Sequence, residues 1–176
     1  MLRNKNPGSD RAVAVDLSGR LPTGPTQSAE ELYDGHGGAL YSIAWIILGD
    51  RAEAEGVVRH VLLEADGRPA LDTSHGDRRR HLSRLVYLRC TRTRLTSRVL
   101  APDLPSSRRQ RKGRSKPPIV VVLGELSEQQ RATIALCLHG DHTYNDVADL
   151  MSLPATVVAD LLRSGLHKLR AAESPG

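Results

Sequence analysis

Apolar positions recur along this chain at three- and four-residue spacing, the signature of helices with one buried face. Leu40, Ile43, Ala44 and Ile47 follow Ser28-Ala-Glu-Glu31. That tetrad is a capping box, in which the serine oxygen accepts an orphan backbone N–H and the glutamate reaches back to the cap. The pattern predicts a helix from Ser28 to Gly49, a natural left-handed stop, with Gly35, Gly37 and Gly38 weakening its middle. Asp50 with Glu53 opens a second helix, whose apolar face is Ala54, Val57, Val58, Val61, Leu62 and Ala65. From Asp77 to Arg98 a third helix sets Leu82, Leu85, Val86 and Leu95 against Arg78, Arg79, Arg80, Arg84, Arg89, Arg92 and Arg94. It is expected to be apolar on one side and cationic on the other.

The second half repeats the helical logic. Ser127-Glu-Gln-Gln130 is another capping box, followed by Ile134, Ala135 and Leu138 and closed by His139-Gly140-Asp141. A short segment, Thr143 to Met151, precedes the turn Ser152-Leu153-Pro154. Val157, Val158, Leu161, Leu162, Leu166 and Leu169 then mark a longer helix reaching Arg170. Short helix, tight turn and longer helix make a helix-turn-helix candidate. Ile119 to Leu123 reads as strand-like, but it is too short to define a sheet. The expected fold class is all-α.

Charge divides the chain further. Residues 28 to 66 carry Arg51 and Arg59 against eight carboxylates, whereas residues 67 to 100 carry nine arginines against Asp72 and Asp77. Residues 101 to 118 add Arg108, Arg109, Arg111, Lys112, Arg114 and Lys116 among Pro and Ser, the composition of a solvated linker. Residues 119 to 176 return to an acidic balance, with four basic residues against seven acidic ones. The organisation expected is a flexible tail (1–27), a first small domain (28–100), a basic linker (101–118), a second small domain (119–172) and a short tail (173–176).

Composition narrows the class. At 39% apolar and 26% charged, the 176 residues lie near globular averages, which excludes a collagen, a mucin or a pure linker. With 3% aromatics and no Phe, the core must be aliphatic. Cys90 and Cys137 form no CxxC pair and read as buried thiols of a reducing compartment. The most apolar stretch, Ala39 to Leu48, is half of what a membrane helix needs, and no apolar signal segment follows the first charged residues. A cytoplasmic protein with no membrane insertion is expected. His139, Asp141 and His142 sit in an inter-helix turn with no fourth ligand nearby, so neither a metal nor a cofactor is expected. With no P-loop, nucleophile elbow or HExxH motif, no catalytic site is expected and the chain is not read as an enzyme.

Two blocks in this order, "ELYDGHGGALYSIAWIILGDRAEAEGVVRHVLLEA" and "LSEQQRATIALCLHGDHTYNDVADLMSLPATVVADLLRSGLHKLR", resemble the sigma factors of bacterial RNA polymerase, of the small extracytoplasmic-function type within the sigma-70 family. The likeness spans residues 29 to 172 and rests in the first block on Leu32-Tyr33, Leu40-Tyr41 and Leu48-Gly49-Asp50-Arg51. It implies that Asp50, Glu53, Glu55, Val57, Val58, Arg59 and Val61 dock on the beta-prime clamp of the polymerase core. It also implies that Arg84, Tyr87, Arg89, Arg92 and Arg94 hold the opened promoter strand. Thr156, Arg163, Ser164, His167 and Lys168 would then enter a major groove. The chain departs from the family pattern at Gly56, Arg59 and His60 in the docking helix, and at Ala159, Asp160 and Leu161, where Lys, a small polar residue and Arg are usual. The implied function is a transcription initiation factor that binds polymerase core and directs it to specific promoter DNA. The alternative is a sigma-like protein working through contacts with polymerase, a sigma factor, an anti-sigma factor or another protein regulator, without reading a promoter.

Overall fold

The computed structural model describes residues 28–66, 74–100 and 118–173. The predicted tail, most of the basic linker and the last three residues lie outside them. Among the described residues seven helices run in chain order: α1 (Ala29–Leu48), α2 (Arg51–Ala65), α3 (His75–Leu100), α4 (Pro118–Glu125), α5 (Glu128–His139), α6 (Tyr144–Met151) and α7 (Ala155–Glu173). No strand occurs among the described residues, in keeping with the all-α expectation.

The caps set the boundaries. Ser28 Oγ accepts from the Glu31 N–H while Glu31 Oε2 accepts from the Ser28 N–H, so the first capping box forms as the sequence implies. Ser127 and Gln130 form the second, and Thr143 with Asp146 a third at the start of α6. Asp50 Oδ1 accepts from the Glu53 N–H and starts α2. Gly49 ends α1 at φ 75°, a conformation in which a side chain would strain the backbone. The glycines at 35, 37 and 38 do not interrupt α1, because Leu32, Leu40, Ile43 and Ala44 are fully buried and packing outweighs propensity.

Two sequence readings are corrected. Residues 119 to 123 belong to α4, not to a strand: Leu123 and Leu126 pack against Ile134, Leu162 and Leu169, so this apolar run is bound into a helical contact. On α3 the division into apolar and cationic sides is imperfect, since Arg78 is 8% exposed whereas Leu95 is 55% exposed.

The core runs through both halves of the chain. One buried cluster takes Leu40, Ile43 and Ala44 from α1, Val57 and Val61 from α2, and Leu82, Val86 and Cys90 from α3. The same cluster continues through Ala132, Ala135 and Leu136 of α5 to Val147 of α6 and Val158 of α7. The helices α1 and α5 pack directly on each other. A Cβ at Gly165 would lie 2.6 Å from Ile134 Cδ1, so α7 packs closely on the Ile134 side chain of α5 and a larger residue there requires that side chain to shift.

Polar clamps flank that shared core. The Arg94 guanidinium donates to the Ile47 carbonyl at 3.0 Å and pairs with Glu128 at 2.7 Å, tying α3 to the end of α1 and the start of α5. At the other end Ser83 Oγ reaches the Gly140 carbonyl (3.1 Å) and His142 Nε2 (3.1 Å). Nearby, Arg80 donates to the Asp141 carbonyl and Arg79 pairs with the Asp141 carboxylate. No helix of the described residues is long and apolar enough to cross a membrane.

Candidate functional site

Helices α1 and α2 enclose a groove of about 910 Å³. Its α1 wall is Ala29, Glu30, Tyr33, Asp34, Gly37, Gly38 and Tyr41, which recur at helical spacing along one side. Its α2 wall is Ala52, Glu55, Gly56, Val58, Arg59, Leu62 and Leu63. The small residues are what make the cleft: a Cβ at Gly38 or Gly56 would meet nothing within 4 Å. Tyr33 and Leu63 stand 62% and 61% exposed at its edges. Glu30 and Asp34 of α1 and Glu55 and Arg59 of α2 share the lining, so the groove is apolar within and acidic in balance.

The residues assigned to core docking divide over this geometry. Glu55, Val58 and Arg59 line the groove. Asp50 caps α2 and, with Glu53, is exposed at its start. Val57 and Val61 are 6% and 2% exposed and serve the core; a partner does not reach them in this form. Sequence reasoning missed the α1 wall altogether, although Glu30, Tyr33, Gly37 and Tyr41 already fell on one helical side.

The residues assigned to the opened strand also separate. Arg84 and Arg92 are exposed, Arg89 and Tyr87 half-buried, and Arg94 is engaged with Ile47 and Glu128 inside the fold. The strand-holding role expected of Arg94 therefore meets a guanidinium committed to intramolecular contacts in this form.

On α7, Ser164 accepts from Gln130 Nε2 at 2.9 Å, and Lys168 Nζ lies 3.4 Å from Gln130 Oε1 and 3.5 Å from the Glu125 carbonyl. Both side chains bond toward α4 and α5 while staying exposed. Thr156, Arg163 and His167 remain on the exposed side, where Arg163 is paired with Asp160 at 2.8 Å. Arg163, which shares this side with exposed Arg170, is thus partly offset by a carboxylate three residues away.

The titratable groups sit mostly at the junction of the two halves. His36, 4% exposed, stacks on His75 with ring centroids 4.3 Å apart. Burial, reinforced by His75, Arg79 and Arg78, holds its pKa down at about 4. Burial also lowers His139 and His142. Cys90 is pushed up to about 12 by burial, and Cys137 is raised for the same reason. Both thiols are free, and the raised values make them poor nucleophiles. Ser83 beside His142 is fully buried, so the pair is a packing knot rather than an accessible nucleophile. Among the described residues no group of three or more His, Cys, Asp or Glu side chains is placed to hold a metal.

No family model matches the sequence, and no curated protein does. Among solved structures the chain is similar to the sigma factor RpoE from Bartonella quintana, crystallised in complex with the anti-sigma factor NepR. The superposition has a TM-score of 0.57 at 17% identity and covers 81% of this chain and 94% of that one. The described helices therefore carry a sigma-factor-like fold.

Proposed function

We propose that this chain is a sigma-like transcription protein that docks on RNA polymerase core through the α1/α2 groove and works chiefly through protein contacts. The observation that carries this reading is the contrast in availability between two surfaces. The groove is open, apolar and rimmed by charge, the anatomy of a helix-binding site. On α7, Ser164 and Lys168 are exposed but hydrogen-bonded to Gln130, and Arg163 is paired with Asp160, which engages donors that a base edge would need.

A second reading, a promoter-directing initiation factor, is favoured by Arg84 and Arg92. Both are exposed on α3, and cationic helices neutralise phosphate.

Gly56→Leu tests the groove directly. The new side chain enters open space and replaces a helix-interior glycine, so stability holds or rises by up to about 1 kcal/mol. Affinity for purified polymerase core, followed by fluorescence anisotropy, is expected to fall at least about tenfold. Unchanged core affinity removes the groove from the docking site. Run-off transcription with the same components separates the readings: core binding without defined transcripts supports the first, and promoter-specific transcripts support the second.

A further inference from the structure

The outward side of α3 carries a pattern that neither the groove nor the α7 surface explains. Arg84, Leu88, Thr91, Arg92 and Leu95 share one face at helical spacing, and all five are exposed. Leu88 and Leu95 are 40% and 55% exposed. They stand seven residues apart, about 10 Å along the axis, which is one heptad. Arg84 and Arg92 flank Leu88 and make no side-chain hydrogen bond or ion pair among the described residues. No acidic residue occurs from His81 to Thr96, so nothing on this stretch of α3 offsets their charge.

The two guanidinium groups of this face suit phosphate, but the rest of it offers nothing to a base. Leucine neither stacks on bases nor donates to their edges. Thr91 Oγ1 donates to the Tyr87 carbonyl and Thr96 Oγ1 to the Arg92 carbonyl, each at 3.0 Å. The hydroxyl protons are spent within the helix. Tyr87, the aromatic residue of this helix, is half-buried. What α3 offers instead is two apolar anchors between guanidinium groups, which suits a helix with its own apolar stripe and flanking carboxylates. A symmetric pairing of two copies through this face would set arginine against arginine, so the partner must bring the negative charge.

We propose that the outward face of α3 binds an acidic amphipathic helix of a partner protein, with Leu88 and Leu95 as anchors and Arg84 and Arg92 pairing its carboxylates. This inference rests on the protein-contact reading above but uses a different surface, and the two fail separately: core affinity reports the groove, peptide affinity reports α3.

The test uses the full chain and a synthetic helical peptide of about three heptads, with leucines at a and d and glutamates at e and g. A matched peptide carries glutamine in place of glutamate, and a single-stranded oligonucleotide supplies the nucleic-acid arm. Fluorescence anisotropy is expected to show binding of the glutamate peptide. Leu88→Ala with Leu95→Ala weakens it at least about tenfold, and Arg84→Gln with Arg92→Gln by a similar factor. Both pairs alter exposed positions, and circular dichroism checks that the helices persist. The glutamine peptide binds more weakly than the glutamate one. Absence of peptide binding overturns the proposal, as does peptide binding indifferent to the leucines. Oligonucleotide binding that depends on Leu88 and Leu95 overturns it in favour of a strand-holding face.

Discussion

The α2 wall of the groove and the exposed side of α7 both carry residues that the sigma-like resemblance assigns to partners, yet the fold treats them differently. In the groove, glycines at 38 and 56 leave space that no neighbouring atom fills, and Glu55 and Arg59 stay at the surface. On α7, glycine does the reverse: Gly165 lets the helix press on Ile134, and that approach brings Ser164 and Lys168 within reach of Gln130. The same residue type opens one surface and closes the other. A glycine on an outward helix side leaves a cleft, while Gly165 on an inward side makes room for the Ile134 side chain.

The largest expected effect breaks the closed side of this comparison. Ile134 is 2% exposed and lies where α4, α5 and α7 meet. Ile134→Ala should cost about 2–5 kcal/mol in urea unfolding, through lost burial and the cavity left behind. A loss well under 1 kcal/mol would mean that α7 is not held by this contact.

Acid should loosen the junction next. His36 has a pKa held down at about 4 against an ordinary 6.5, so the folded state keeps it neutral where the unfolded chain protonates. Its contribution is complete above pH 6.5 and is lost as pH falls from there through about 4, to a total of roughly 3 kcal/mol at most. His139 and His142, also lowered, act in the same direction. Urea midpoints between pH 7 and 5 should fall for the parent chain and fall less for His36→Leu. An equal decline in both would place the pH sensitivity elsewhere.

The smallest effect probes the exposed side of α7. Asp160 and Arg163 are both well exposed, so Asp160→Asn should change stability by less than about 0.5 kcal/mol. Under the protein-contact reading, duplex-DNA affinity also stays within about twofold of the parent. A salt dependence steeper by about 0.9 in log–log slope would instead mark Arg163 as a phosphate contact and favour the promoter-directing reading.

Much of the fold was legible because its signals are local. The capping boxes at Ser28 and Ser127 and the cap at Asp50 fall where hydrogen-bond chemistry places them, and the helices between them follow the apolar period. The strand-like reading of residues 119 to 123 failed because a short apolar run has no period long enough to separate strand from buried helix. The candidate site was legible in its α2 half, where Glu55 and Arg59 lie in the groove, and not in its α1 half. Tyr33, Gly37 and Gly38 become a wall only once α2 is laid beside them.

The amino-acid sequence by itself determined the helices, their caps, the aliphatic core and the uneven charge along the chain, because each depends on neighbours within a turn or two. The tertiary structure alone decided which arginines of α3 face outward and which clamp the halves together. Arg94 reaches Ile47 and Glu128, 47 and 34 positions away, whereas Arg84 and Arg92 reach solvent. Contacts at that separation follow from the mutual packing of α1, α3 and α5, which no helical period records.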